Sequence, residues 1–160
     1  MKINIVKQSG IYTLTSEQII NASMDEVWDF FTLPKNLDKI TPGEMKFSIT
    51  NQPGEKTYAG QIITYKIGIL PFINSNWITE ITHLEEEKFF VDEQRFGPYA
   101  MWHHEHRFEK TSDGKVKMTD IVNYKLPLGI LGRLMMGKII SKRVLNIFTH
   151  RFQIINDIFR

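Results

Sequence analysis

The chain has 160 residues, enough for one domain with a substantial core, and its 42% apolar and 24% charged residues are the balance of a water-soluble globular protein. Its net charge is only +2 and the basic residues are scattered, which argues against a nucleic-acid binder with a dense basic stripe. With no cysteine, disulfides, thiol catalysis and Cys-ligated zinc are excluded.

The opening Met1-Lys2-Ile3-Asn4-Ile5-Val6 is too short an apolar run for a signal peptide, and no window nears the roughly 20 apolar residues of a membrane span. The expectation is a cytoplasmic protein. Residues 11–21 alternate around Tyr12 and Leu14 and read as the first strand. Ser23-Met24-Asp25-Glu26 is a capping box, and the helix it opens carries Val27, Trp28, Phe30 and Phe31 before stopping near Pro34. A second short helical turn follows through Asn36, Leu37 and Ile40, closed by Thr41-Pro42-Gly43.

Alternation returns over 45–51, and Gln52-Pro53-Gly54-Glu55 makes a turn. Residues 60–70 form the next strand, broken at Leu70-Pro71-Phe72 because proline cannot donate to a central ladder. Strands are expected at 77–83, 89–96, within 97–108 and at 116–126, with Glu85-Glu86-Glu87-Lys88 and Ser112-Asp113-Gly114 as turns. From about residue 131 the period changes: Leu145, Phe148, Phe152, Ile155 and Phe159 step by three and four along a long helix. A run of six or seven antiparallel strands with helices set apart from it is α+β. Such a sheet must curl, and only the final helix is long enough to cover its concave face. There is no internal repeat and no second domain, so 1–160 reads as one domain.

Two blocks of residues resemble a known family. The first is Ala22-Ser23-Met24-Asp25-Glu26-Val27-Trp28-Asp29-Phe30-Phe31 with Pro34, Asn36-Leu37, Ile40 and Thr41-Pro42. The second is Gly97-Pro98 through Trp102, His104, His106 and Phe108, then Thr119-Asp120, Tyr124 and Leu126-Pro127-Leu128-Gly129. Together with the element order, they are similar to the START/SRPBCC superfamily, shared by birch-pollen allergens, lipid-transfer START domains and polyketide cyclases. The second block is similar to a bacterial branch sometimes labelled cell-division inhibitors. The resemblance implies the helix-grip fold, a curved sheet wrapped around a C-terminal helix, and no metal or cofactor. It does not imply a reaction, because the superfamily spans binders, carriers and enzymes.

The stretch 97–108 reads Gly-Pro-Tyr-Ala-Met-Trp-His-His-Glu-His-Arg-Phe. Period two puts Trp102, His104, His106 and Phe108 on one face, bounded by aromatics and therefore inward. If Phe108 lies across from Met118, then His106 faces Asp120, His104 faces Val122 and Trp102 faces Tyr124. On the other side Asp92 would face His104 and Gln94 would face Trp102. The expected pairs are His104–Asp92 and His106–Asp120, each fixing a tautomer and raising an imidazole pKa. His103 and His83 are expected in solvent.

Three readings of this wall stay open: a structural polar network, the polar end of a ligand pocket, or a His-x-His metal site completed by an aspartate. On the final helix, Leu134, Gly137, Ser141 and Leu145 fall on the face of Phe148. The small Gly137 and Ser141 leave its first half thin, either for a ligand or for close packing. Arg133, Lys138, Lys142 and Arg143 interleave there with Leu134, Met135, Met136, Ile139 and Ile140, near Pro71-Phe72-Ile73. Transient contact with an anionic membrane is one reading, and a charged outer face on a core helix is the one preferred.

The expectation is binding, with possible carriage, of a small hydrophobic or amphipathic molecule between sheet and helix. Its cavity candidates are Trp77, Asp92, Gln94, Trp102, His104, His106, Asp120, Tyr124, Gly137 and Ser141. The alternative is a cyclase, dehydratase or hydrolase with a His–Asp pair as general acid or base. No Gly-x-Ser-x-Gly, P-loop or Gly-x-Gly-x-x-Gly accompanies those histidines, so binding is the reading taken.

Overall fold

In a computed structural model, residues 2–70 and 73–160 are described. Among them the alternating segments form β1 (Lys2–Gln8), β2 (Ile11–Ile20), β3 (Ser48–Ile49), β4 (Ile62–Leu70), β5 (Ile73–Glu85), β6 (Phe89–Phe96), β7 (Met101–Lys110) and β8 (Val116–Lys125). All pair antiparallel in one sheet of order β1-β2-β8-β7-β6-β5-β4-β3. Between β2 and β3 lie α1 (Met24–Phe31) and two 3-10 turns, Pro34–Leu37 and Gly43–Met45. The chain closes with α2 (Gly129–Ile158), which packs on the inner face of the curved sheet. This is the helix-grip arrangement. Pro71 and Phe72, at the centre of the expected break and of the apolar loop, lie outside the described residues.

The capping box forms as expected. Glu26 accepts from the Ser23 backbone N–H at 2.9 Å, and Ser23 Oγ accepts from the Glu26 N–H at 3.4 Å. The helix it starts drives Trp28 against Phe108 and Phe90, edge to face at 5.5 and 6.2 Å between centroids. Val27, Trp28, Phe90 and Phe108 belong to one core with Trp77, Tyr65 and Ile155. A second core joins Tyr12, Leu14, Val122 and Tyr124 to Val144 and Phe148 of α2.

Four sequence expectations are corrected. The first strand is β1, not residues 11–21: Ser9 and Gly10, with φ of 51° and 82°, supply the left-handed pair that closes a β1–β2 hairpin. The strand expected at 45–51 shrinks to Ser48–Ile49, because a 3-10 turn runs through Met45 and ends on a left-handed Lys46. On α2 the buried line runs through Gly132, Gly137, Val144, Phe148, Arg151 and Ile155. Leu134 and Leu145 fall off that line and are exposed. The outer face of the first half of α2 also differs from the preferred reading. Leu128, Ile130, Leu131, Leu134, Met135 and Ile139 are all exposed there, so the face is apolar as well as cationic.

Candidate functional site

β6, β7 and β8 lie side by side, and their registers carry the polar wall. Asp92 pairs with His104 and Phe90 with His106 across β6–β7; His106 pairs with Asp120, His104 with Val122 and Trp102 with Tyr124 across β7–β8. His104, His106 and Asp120 are buried, and the ring centroids of the two histidines are 3.7 Å apart. His106 also stacks on Phe90 at 4.2 Å.

The hydrogen bonds, however, run along the diagonals. His104 Nε2 meets Asp120 Oδ1 at 3.0 Å and His106 Nε2 meets Asp92 Oδ2 at 2.9 Å. The directly opposed atoms are also near, with His104 Nδ1 3.3 Å from Asp92 Oδ2 and His106 Nδ1 3.1 Å from Asp120 Oδ1. The His106 contact lies off the hydrogen-bond direction and leaves Nδ1 without a partner. Diagonal neighbours on a sheet face are within reach of a long ring, which is how the expected pairs come to cross over.

Each imidazole thus sits with one nitrogen toward each carboxylate. A neutral ring has only one N–H to give, so for His104 this geometry favours the protonated form. Burial alone would lower the His104 pKa, but the Asp92 charge and contacts with Asp120 and Asp92 raise it above the usual value. Burial alone would likewise raise the two aspartates, and the flanking imidazoles instead hold both well below the usual carboxylate range.

This wall faces a cavity of about 310 Å³ between the sheet, α1 and α2. Its lining is mainly apolar, with Phe30, Leu37, Tyr65, Phe90 and Phe148 among the residues that form it. Of the expected residues, Trp77, Asp92, Trp102, His104 and His106 line the cavity, and Asp120 stands behind the imidazoles. The Trp77 indole N–H and the Tyr65 hydroxyl both meet Thr79 Oγ1, at 3.0 and 2.9 Å.

Gln94, Tyr124, Gly137 and Ser141 lie outside that lining. The Gln94 side chain is taken up by the Tyr99 backbone, donating to its carbonyl at 2.7 Å and accepting from its N–H at 3.1 Å, so it braces the turn before β7. Tyr124 stacks on Tyr12 at 5.1 Å and donates to Ser141 Oγ at 3.2 Å. A Cβ at Gly137 would lie 2.6 Å from the Tyr12 hydroxyl. The thin half of α2 is therefore filled by a tyrosine pair, and close packing is the reason for its small residues. As expected, His83 is exposed, while His103 turns away from the cavity to Glu93 at 2.8 Å.

Two arginines on the cavity wall were not anticipated. Arg143 lines the cavity and donates to the Gly68 carbonyl at 2.8 Å. Arg151 is only 8% exposed, lies over the Phe148 ring at 5.0 Å, and has Nε and Nη1 without hydrogen-bond partners. Its nearest recorded carboxylate contact is Asp120 Oδ1, 3.9 Å from Nη1. A signal existed: Val144, Phe148, Arg151 and Ile155 step by four, three and four, placing a charge within an apolar stripe. For metals, donor atoms of Asp92, His104 and His106 lie within 4.8 Å of one another, a set that could take a divalent ion. The same nitrogens already face carboxylate oxygens, so an ion would compete with the protons held there.

No family model and no curated protein matches the chain. Solved structures do. Protein Ms6760 from Mycobacterium smegmatis aligns over 100% of this chain and 96% of its own, with a TM-score of 0.70 at 15% identity. Ginseng major latex-like protein 151 from Panax ginseng aligns over 94% of this chain and 99% of its own, with a TM-score of 0.68 at 14% identity. A protein from Thermus thermophilus covers 91% of this chain and 94% of its own, with a TM-score of 0.64 at 12% identity. At these identities the likeness is one of fold.

Proposed function

We propose that this helix-grip chain binds a small hydrophobic or amphipathic molecule between its sheet and α2. The observation that carries the reading is the cavity of about 310 Å³, apolar around most of its wall and polar where Asp92, His104, His106 and Arg151 meet it. Ligand pockets run from about 300 to 1,000 Å³ and combine an apolar lining with a few placed polar groups. Pro127, Leu128, Gly132 and Met136 also line this cavity, which puts the start of α2 at its edge, and on this reading the ligand enters there.

Trp77 and Trp102 line the cavity and report on its contents. A ligand is expected to change tryptophan emission saturably, and native mass spectrometry of the purified protein is expected to show a co-purifying small molecule. An empty protein whose emission responds to no amphiphile would leave the wall as a structural network. A second reading, acid–base catalysis, draws on one feature: His104 lines the cavity, and the neighbouring aspartates raise its pKa so that the imidazole carries a proton more readily than a free one. His104→Gln separates the two readings, since lost turnover with retained binding would favour an enzyme.

A further inference from the structure

Within that reading, on which this inference rests, we propose that the bound molecule carries a carboxylate and that the Arg151 guanidinium receives it.

A guanidinium does not deprotonate in a protein, so Arg151 brings a permanent charge and five donors to a site that is nine-tenths buried. Nε and Nη1 find no acceptor among the described residues. The one recorded carboxylate nearby, Asp120 Oδ1, is too distant at 3.9 Å for a hydrogen bond and is already bonded to His104 at 3.0 Å. Contact with the Phe148 ring holds the guanidinium against the cavity wall. Buried donors left unpaired are costly, and a charged one most of all, so the site is incomplete as the protein alone forms it. The histidines differ in that each donates to an aspartate and has a carboxylate oxygen within 3.3 Å of both ring nitrogens, His106 Nδ1 alone making no hydrogen bond.

The charges on the wall point the same way. Asp92 and Asp120 are balanced by Arg143 and Arg151 before any imidazole proton is counted. The proton favoured on His104 then leaves the wall positive, and a single negative charge is its complement. Among anions, a carboxylate matches the planar fork of a guanidinium with two parallel hydrogen bonds, and a dianion would overshoot the surplus. The remaining wall is apolar and the volume is about 310 Å³, which suits a medium-length hydrocarbon or compact ring system behind the carboxylate.

The test compares decanoate with decanol, alike in chain and different in charge, by tryptophan fluorescence titration at neutral pH. Decanoate is expected to bind about ten-fold more tightly, the effect of one charge-assisted hydrogen-bonded pair. In Arg151→Met the preference is expected to vanish while decanol still binds. Equal affinity in the unaltered protein, or a preference that survives Arg151→Met, overturns the carboxylate assignment and leaves the cavity reading intact. If neither compound binds, the cavity reading falls and this inference with it. Should Arg151→Met fail to fold, Arg151→Lys decides: an ammonium keeps the charge but loses the fork, so a preference equal to that of the unaltered protein overturns the assignment.

Discussion

Asp120 is the residue on which the polar wall depends, since it meets His104 at 3.0 Å, stands 3.1 Å from His106 and is the carboxylate nearest Arg151. Asp120→Asn removes its charge and leaves buried cations facing one another. The expected loss is about 3 kcal/mol, the low end for breaking a buried ion pair, because the amide oxygen can still accept; urea denaturation measures it. The pH dependence has two limbs. Asp92 and Asp120 are held below the usual 3.8, so their contribution is complete above that value and is lost as pH falls through their lower folded values. His104 is raised above 6.5, so its contribution is complete below that value and is lost as pH rises through the folded value. The urea midpoint is therefore expected to be highest between about pH 4 and pH 6.5, where both contributions are present. His104→Gln is expected to flatten the alkaline limb; an alkaline slope unchanged in that variant would place its origin elsewhere. Much of this wall was legible because strands have a strict period of two and the 112–114 turn set the register. The diagonal bonding was not, since it depends on ring reach rather than on sequence order.

At the scale of elements, α2 was legible as a helix but not as a surface. Stepping by three and four from Phe148 offers two routes along its length, and only the partner decides between them. That partner is Tyr12, whose hydroxyl stands where a Cβ on Gly137 would be, 2.6 Å away. Gly137→Ala gains about 1 kcal/mol of helix propensity but overpacks the tyrosine stack at a cost of about 1–3 kcal/mol. A net loss near 1 kcal/mol is expected by chemical denaturation. Adding Tyr12→Phe removes the crowding oxygen, so the double variant is expected to recover most of that loss; a strictly additive result would show that the two positions do not touch. Arg151 was passed over for a related reason, although it falls within the apolar stripe of Val144, Phe148 and Ile155. A charge recurring on a helix ordinarily means a solvated face, and only the enclosing sheet turns this one inward. β1 was missed because seven residues at an edge, whose alternation breaks at Val6, weigh little beside a ten-residue strand, although the Ser9-Gly10 turn was there to be read.

For the molecule as a whole, alternation, punctuation by turns and one long terminal periodicity were enough to specify a sheet wrapped around a helix. Cavity volume was not specified, because it is the small remainder after many side chains have packed. Its contents are expected to exchange through the end where α2 begins. That helix starts on Leu128, a bulky residue held left-handed at φ 60°, with no side chain capping the first turn. Backbone amides of residues 129–132 are expected to exchange hydrogen faster than those of 144–155, and a bound decanoate is expected to slow them; equal protection along the helix would contradict this. The consequence concerns time rather than affinity. A strained, uncapped first turn frays readily, so its opening rate sets how long a guest stays, and a substitution at Leu128, on the cavity's edge, can alter residence time while leaving the polar wall and Arg151 as they are.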